Sequence, residues 1–177
     1  SDASALKTKA TRTNEGFILN GTKSFISGGA YSNSYLTMAR TGEDGPKGIS
    51  AIIIEDPSDG LSFGAFEDKM GWRAQPTAQV QFDDCRVPSD NLIGDEGCGF
   101  SYAMAGLDGG RLNIAASALG GAQFALESSL TYMNERKAFG KNLNQFQALQ
   151  FKLADMEVKL QTARTFLRQA AWTLESQ

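Results

Sequence analysis

The sequence contains no histidine, and this absence excludes more chemistry than any other feature of its composition. Serine and cysteine triads, histidine-ligated metals and a histidine general base all require imidazole, so none of them can be built from these 177 residues. The two cysteines, Cys85 and Cys98, form no CxxC pair, which argues against a zinc site or a disulfide framework and favours a reducing compartment. Any chemistry therefore depends on carboxylates or on a cofactor.

An excess of charge and a long apolar run are also lacking. Lys and Arg number 17 against 20 Asp and Glu, and the resulting net charge of −3 does not indicate a nucleic-acid partner. The longest uncharged helical stretch, Leu112–Leu126, is shorter than the ~20 apolar residues that a bilayer requires, so we expect no membrane span. A hydrophobic content of 41% nevertheless allows a substantial core.

Proline and glycine are concentrated in one part of the chain. All four prolines precede residue 90, and most glycines lie at or before Gly110. The same part is acidic, whereas the remainder is slightly basic. We therefore predict two structural units, residues 1–100 and residues 101–177. Because the sequence starts without Met and stops within a helical pattern, we expect it to be a piece of a longer protein.

The overall prediction is an α+β fold whose first unit is antiparallel β structure. Asn20-Gly21 predicts a hairpin turn between Phe17–Leu19 and Lys23–Ile26, because this dipeptide tolerates positive φ. Further strands are predicted at Ser34–Arg40, Ile49–Glu55, Leu61–Phe66 and Ala78–Asp83. Short strands without intervening helices favour a β-sandwich or a barrel.

The second unit is predicted to be helical. Apolar side chains from Leu149 to Leu174 recur at steps of three and four, which places them on one stripe of a helix about 30 residues long. An earlier helix is predicted from Arg111 to Asn134, with Asp108 as its N-cap. Two such helices cannot cover each other's apolar stripes completely. We therefore expect long antiparallel helices of a four-helix bundle, completed by other sequence or by a partner subunit.

Seven short segments follow one another in a specific order along the chain. They are Ser1–Leu6, Phe25–Gly29, Lys69–Arg73, Arg86–Pro88, Gly97–Phe100, Arg136–Gly140 and Gln147–Met156. Their order and spacing together resemble the acyl-CoA dehydrogenase family. The resemblance implies a flavoenzyme subunit of three regions, of which this chain would hold the middle β domain and the first two long helices of the C-terminal bundle. The first domain and the catalytic glutamate would lie outside it.

The resemblance implies that FAD is bound by residues from both units. Phe25, Ile26 and Ser27 would form a wall behind the flavin ring, with the Ser27 hydroxyl near N5. Ser1 would lie between the flavin and the acyl-CoA. Arg136 would hold the pyrophosphate of the FAD in a neighbouring subunit. Phe146 and Gln147 would also reach that FAD. Without the resemblance, a strand end, a chain terminus and cations that offset a helix dipole would explain the same residues.

The resemblance also places Asp108, Gly109, Gly110 and Arg111, together with Ser1, along the acyl-CoA. The two glycines would widen the pocket near the thioester and admit a branched acyl group. The implied reaction is the oxidation of isobutyryl-CoA to methacrylyl-CoA in valine catabolism. Considered by themselves, these residues favour a capped helix start.

The expected partners follow from the same resemblance. They are electron-transferring flavoprotein as electron acceptor and further copies of the chain in a homotetramer, located in the mitochondrial matrix. The helical part contains four glutamates, Glu127, Glu135, Glu157 and Glu175, and none of them matches the family's general base. We therefore expect this chain alone to be inactive. Two alternatives stay open. One is another acyl-CoA dehydrogenase or an acyl-CoA oxidase on the same scaffold, and the other is a non-catalytic interaction module without flavin.

Overall fold

A computed structural model describes residues 2–176, and the chain divides after Ala105 into two units. The strands are β1 (Lys9–Arg12), β2 (Gly16–Ser27), β3 (Ser34–Arg40), β4 (Ile49–Glu55), β5 (Leu61–Phe63), β6 (Thr77–Pro88), β7 (Leu92–Ile93), β8 (Lys137–Ala138) and β9 (Lys141–Asn142). The two α-helices are α1 (Gly99–Glu135) and α2 (Gln147–Glu175). Short 3₁₀ helices lie at Ala3–Ala5, Pro46–Gly48, Ser89–Asn91 and Leu143–Gln145.

The first seven strands form one sheet in the order β5-β6-β2-β1-β3-β4-β7. Neighbouring strands are antiparallel except β1 and β3, which pair in parallel at Lys9 and Arg40. The predicted fold class, antiparallel β structure followed by long helices, is confirmed. The sheet is open rather than a closed barrel, since within residues 2–176 its edge strands β5 and β7, only three and two residues long, do not pair with each other.

The hairpin predicted at Asn20-Gly21 is wrong, because β2 runs straight through these residues. The turn lies earlier, where the N–H of Thr13 donates to the carbonyl of Gly16 between β1 and β2. At Asn20-Gly21 the register between β2 and β6 shifts instead. The Asn20 amide donates to the Asp84 carboxylate and accepts from the Asp84 N–H, both at 2.9 Å. Gly21, at φ 138°, therefore serves a β-bulge.

The core of the first unit lies against the central strands of this sheet. In β3, Tyr35, Thr37 and Ala39 are buried while Ser34 and Leu36 are exposed, as expected for side chains that alternate between two faces. The core cluster consists of Ala10, Phe17, Leu19, Tyr35, Ala39, Ile52, Ile54, Val80, Phe82, Cys85 and Val87. Cys85 is fully buried in this cluster and packs as a small apolar side chain, and burial, and secondarily the charge of Asp59, raises the pKa of its thiol.

A close backbone approach attaches the first turn of α1 to β4. A methyl group added at Gly99 would come within 2.4 Å of the Ser50 carbonyl carbon and 2.6 Å of the Ala51 nitrogen. The buried Ser50 hydroxyl accepts from the Gly97 N–H at 2.9 Å and lies 2.6 Å from the Thr41 hydroxyl. Because of this junction, α1 begins about three turns before the predicted start at Arg111.

The helical unit contains two antiparallel helices joined by the β8–β9 hairpin. Arg164 of α2 donates to the Gln123 side chain of α1 at 2.7 Å. These residues lie about five turns after the start of α2 and about three turns before the end of α1, so the helices run in opposite directions. The predicted stripe of α2 is buried at Leu160, but large apolar side chains elsewhere on the helix stay exposed, namely Phe151, Val158, Phe166 and Trp172. As predicted, two helices do not cover each other's apolar surface.

Neither helix in the described part of the chain is sufficiently long and apolar to cross a bilayer. Residues 2–176 also bring together no group of three or more His, Cys, Asp or Glu side chains that could hold a metal ion.

We expect Gly99→Ala to lower the free energy of unfolding by about 1–3 kcal/mol, because the added methyl would overlap the backbone of β4. That backbone is held by its pairing with β3 and cannot move aside freely. Denaturant unfolding of the complete protein measures the change. Gly71→Ala is the matched control, since its methyl would meet no atom within 4 Å, and its effect should stay within ~0.5 kcal/mol. Equal effects of the two substitutions would contradict the junction.

Candidate functional site

A cavity opens in the sheet where β1 ends. Strand β1 pairs with β2 only as far as Asn20, whereas β2 continues to Ser27 along β6. The second half of β2 therefore has no β1 partner, and a cavity of about 350 Å³ lies between it and β3. Its lining combines apolar and hydroxyl-bearing side chains, among them Ile26, Ser27, Ser34, Tyr35 and Thr37.

Three residues predicted to back the flavin lie side by side at this end of β2. Phe25 has φ 57°, which is rare for an aromatic residue, and 73% of its surface is exposed. The register of β2 against β6 shifts between Lys23 and Ile26, so the strand's regular alternation is broken at Phe25. Ile26 packs against the core, and Ser27 ends the strand opposite Thr77. The result is an exposed flat ring beside a hydroxyl at the cavity rim.

The chain that follows Ser27 is fixed on both sides. The Gly28 N–H donates to the Pro76 carbonyl at 2.8 Å, and the Gly28 carbonyl accepts from the Tyr35 hydroxyl at 3.3 Å. The Tyr35 ring in turn lies 5.5 Å from the Phe63 ring, measured between centroids. The end of β2 is therefore held by Pro76, just before β6, and by Tyr35 of β3, as a preorganised binding surface requires.

Lys23 is the charged residue of the cavity lining, and it was not among the site residues predicted from the sequence. Burial lowers the pKa of its amine, and within residues 2–176 no carboxylate forms a salt bridge with it. A cation at this position favours a ligand that gains electron density. On a regular strand, residues three apart face opposite sides, so the spacing of Lys23 and Ile26 gives no signal in the sequence. The register shift between them brings both side chains to the cavity lining. Tyr35 was missed for a different reason, since its contact with Gly28 depends on the fold.

The predicted contact at Ser1 lies outside the described residues, but the segment that follows it has a defined turn. The Asp2 carboxylate accepts from the Ser4 hydroxyl at 2.6 Å and from the Ser4 N–H at 3.0 Å. Both hydrogen bonds lower the pKa of the Asp2 carboxyl, and the bond from the Ser4 hydroxyl has the larger effect. Asp2 thereby caps the 3₁₀ helix Ala3–Ala5.

The residues predicted to reach a neighbouring subunit's FAD share one connection, between α1 and α2. Arg136 follows the last residue of α1 and is exposed, and its carbonyl accepts from the Leu143 N–H at 2.9 Å. Phe146 and Gln147 mark the start of α2, which has no side-chain cap and no acidic residue in its first turn. Lys141 Nζ lies 4.3 Å from the centroid of the Phe146 ring. A guanidinium, an ammonium and an uncapped helix start suit a phosphate ligand.

The segment Asp108–Arg111 does not begin a helix, and this corrects the sequence analysis. Because α1 starts at Gly99, the segment lies about two turns inside it, where backbone N–H groups are used within the helix. The predicted N-cap role of Asp108 is therefore wrong. Asp108 instead forms a surface ion pair with Arg111 at 2.8 Å. Methyl groups added at Gly109 and Gly110 would meet no atom within 4 Å, so both leave open space.

Within residues 2–176, no side chain among the four glutamates of the helical part forms a hydrogen bond or ion pair beyond one turn of its own helix. Glu127 accepts from Gln123 at 2.5 Å and Glu157 from Gln161 at 2.7 Å, each one turn away on the same helix. All four glutamates are exposed. These contacts give none of them the arrangement of a general base.

Comparisons with known proteins match both halves of the chain to one family. The model of the acyl-CoA dehydrogenase middle domain matches residues 1–85, and that of the acyl-CoA dehydrogenase C-terminal domain matches residues 97–177. The mitochondrial isobutyryl-CoA dehydrogenase of Dictyostelium discoideum is 54% identical over 99% of this chain, and that of Bos taurus 49% identical over 100%. The chain spans 42% of the length of each.

A solved structure supports the same assignment. The crystal structure of a probable acyl-CoA dehydrogenase from Mycobacterium abscessus covers 99% of this chain and 47% of its own, with a TM-score of 0.97 and 36% identity. The order of segments, the sheet followed by long helices and the two domain matches agree with one another. The chain therefore belongs to the acyl-CoA dehydrogenase family.

Proposed function

We propose that the chain is part of an FAD-dependent enzyme that oxidises isobutyryl-CoA to methacrylyl-CoA. The observation that carries the proposal is the end of β2, where an exposed Phe25 ring is held at positive φ beside the Ser27 hydroxyl and a cavity. Family membership supports the reaction class, and the names of the two relatives support the branched substrate. Residues 1–100 would form the middle domain, and residues 101–177 the first two helices of the C-terminal domain.

The residues at the end of β2 fit a flavin. A flavin ring is flat and has polar atoms along its edges, and this chain offers a flat aromatic ring, an aliphatic side chain and a hydroxyl donor in sequence at Phe25, Ile26 and Ser27. FAD, when bound, supplies the hydride chemistry. The Ser27 hydroxyl can donate to the edge of the ring, and a donor there favours the electron-rich reduced form. The cation of Lys23 acts in the same direction.

Arg136, Phe146 and Gln147 would hold the other end of the cofactor, in a neighbouring copy of the chain. Arg136 is exposed, and its planar fork can bond two phosphate oxygens through two parallel N–H groups on different nitrogens, a geometry that an ammonium lacks. Phe146 is half-buried against Lys141 and presents an apolar surface. A cofactor shared in this way requires an oligomer, for which we propose the family's homotetramer.

Ser1 and the segment Asp108–Arg111 would contact the acyl-CoA. Gly109 and Gly110 leave the surface of α1 open, which provides room for a branched acyl chain. The general base is proposed to be a glutamate outside this chain, since the four helical glutamates make local contacts only. Electron-transferring flavoprotein as the electron acceptor and the mitochondrial matrix as the location complete the proposal.

The role of the Ser27 hydroxyl as a hydrogen-bond donor to the flavin is tested by Ser27→Ala. This substitution removes the donor and leaves Phe25 and Ile26 in place. We expect the rate of flavin reduction by isobutyryl-CoA to fall about tenfold, the effect of losing ~1.4 kcal/mol of transition-state stabilisation. Anaerobic stopped-flow absorbance of the complete protein measures this rate. Ser24→Ala is the matched control, because Ser24 lies on the same strand and is exposed. Identical rates in the two variants would remove Ser27 from the site.

The role of Arg136 is tested by its effect on flavin retention. Arg136→Met should weaken FAD binding about 10- to 100-fold, because a charge-assisted hydrogen-bond donor to phosphate contributes ~1.5–3 kcal/mol. The ratio of flavin to protein absorbance after gel filtration, followed by titration with FAD, gives the affinity. Arg168→Met, an exposed position on α2, should retain flavin as the unmodified protein does. Unchanged FAD affinity in Arg136→Met would place the pyrophosphate elsewhere.

The substrate is tested with isobutyryl-, 2-methylbutyryl-, butyryl- and octanoyl-CoA on the complete protein. We expect the highest kcat/KM for isobutyryl-CoA, by about tenfold or more over butyryl-CoA, because a pocket shaped for a branch discriminates at this level. Equal or better turnover of the straight chains would overturn the isobutyryl assignment. Rapid reoxidation of the reduced flavin by air would instead indicate an oxidase, and a colourless purified protein would indicate a non-catalytic module.

A further inference from the structure

Arg40, the last residue of β3, is a buried cation that contacts four backbone carbonyls. Only 9% of its surface is exposed. Its Nη2 donates to the Ser4 carbonyl at 2.7 Å and its Nε to the Leu6 carbonyl at 3.3 Å. Its Nη1 donates to the carbonyls of Glu43 at 2.6 Å and Gly45 at 3.2 Å. The guanidinium thus joins two separate stretches of chain.

The charged guanidinium of Arg40 is stabilised mainly by hydrogen bonds to these carbonyls, and a carboxylate contributes little. The nearest carboxylate oxygen, on Asp44, lies 3.9 Å from Nε and belongs to a fully exposed side chain. An exposed partner at this distance contributes little, whereas a buried charge needs hydrogen bonds to offset its desolvation. Lysine could not replace arginine here, because one ammonium cannot reach carbonyls that lie around a planar fork.

Two of the four carbonyls belong to the segment Asp2–Leu6, which precedes β1. Inside this segment the hydrogen bonds are local, from Ser4 and Ala5 to Asp2. Within residues 2–176, every hydrogen bond between the segment and the rest of the chain comes from Arg40. Arg40 is itself fixed, because its N–H donates to the Thr8 carbonyl at 2.8 Å and β3 pairs with β4. The position of the segment against the sheet therefore depends on this side chain.

We propose that Arg40 is a positioning residue for the acyl-CoA site. By holding the Ser4 and Leu6 carbonyls it fixes the segment that leads directly from Ser1. Because its hydrogen bonds go only to backbone atoms, the exposed side chains of Ala3 and Ala5 are left uncovered by Arg40. The inference rests on the proposed function, in which Ser1 contacts both the flavin and the acyl-CoA.

The test compares Arg40→Met and Arg40→Lys in the complete, flavin-loaded protein. Both should raise the KM for isobutyryl-CoA about tenfold or more and lower kcat per bound flavin, because misplacing a ligand contact by about 1 Å can cost this much. The charge kept by lysine should not rescue either constant. Asp44→Asn is the matched control, since it removes the distant carboxylate and leaves the four carbonyl contacts, and its constants should equal those of the unmodified protein.

A purely structural role for Arg40 predicts a different result. In that case the unfolding midpoint falls while KM and kcat per bound flavin stay unchanged, and this outcome would overturn the proposal. If Arg40→Met does not fold, Arg40→Lys decides by the same two constants.

Limited trypsin digestion provides a second readout, which is independent of activity. Cleavage after Lys7 or Lys9 should be about tenfold faster in the Arg40 variants than in the unmodified protein and in Asp44→Asn, because the released segment opens more often. Equal cleavage rates would show that Arg40 does not hold the segment. Faster cleavage in a protein that oxidises no acyl-CoA would overturn the proposed function, and with it the role of Arg40 in the site, while leaving the segment's attachment established.

Discussion

Strand β2 has two halves with different partners, and the candidate site depends on this difference. Its whole length pairs with β6, but only its first half pairs with β1. Beyond Asn20 the strand faces a cavity, and backbone distortion is then possible without loss of a second ladder. The positive φ of Phe25 and the register shift beside it occur in this half. A strand paired on both sides would have kept Phe25 in regular alternation and Ser27 away from open space.

The position of β1 between β2 and β3 also determines where the N-terminal segment lies. Strand β1 meets β3 at a single pair, Lys9 and Arg40, and the Arg40 side chain continues from that point to the segment Asp2–Leu6. The residue that ends β3 therefore also sets where the chain approaches β1. The end of β2 and the segment Asp2–Leu6, held by Arg40, are both rigid supports. A ligand site needs such supports if it is to bind without large rearrangement.

Local patterns predicted the regular parts of the fold and failed where distant contacts decide. Strands Ser34–Arg40 and Ile49–Glu55 agree with their prediction because their turn-bounded apolar runs are buried in the sheet. The prediction for Asn20-Gly21 was wrong because the hydrogen bonds of Asn20 to Asp84 on the adjacent strand β6 override its turn preference. The helix start was misplaced because Asp108 suggested an N-cap, whereas the Gly99 junction with β4 begins the helix earlier.

The candidate site, like the fold, was only partly predictable from the sequence. Phe25–Ser27 came from the family resemblance, but the cavity, Lys23 and Arg40 depend on register and could not be seen in a single sequence. The most direct test of the account is an experimental structure of the complete protein with FAD and an acyl-CoA analogue. We predict Ser27 Oγ within about 3 Å of flavin N5, with the Phe25 ring against the isoalloxazine. A flavin that contacts neither residue would contradict the account.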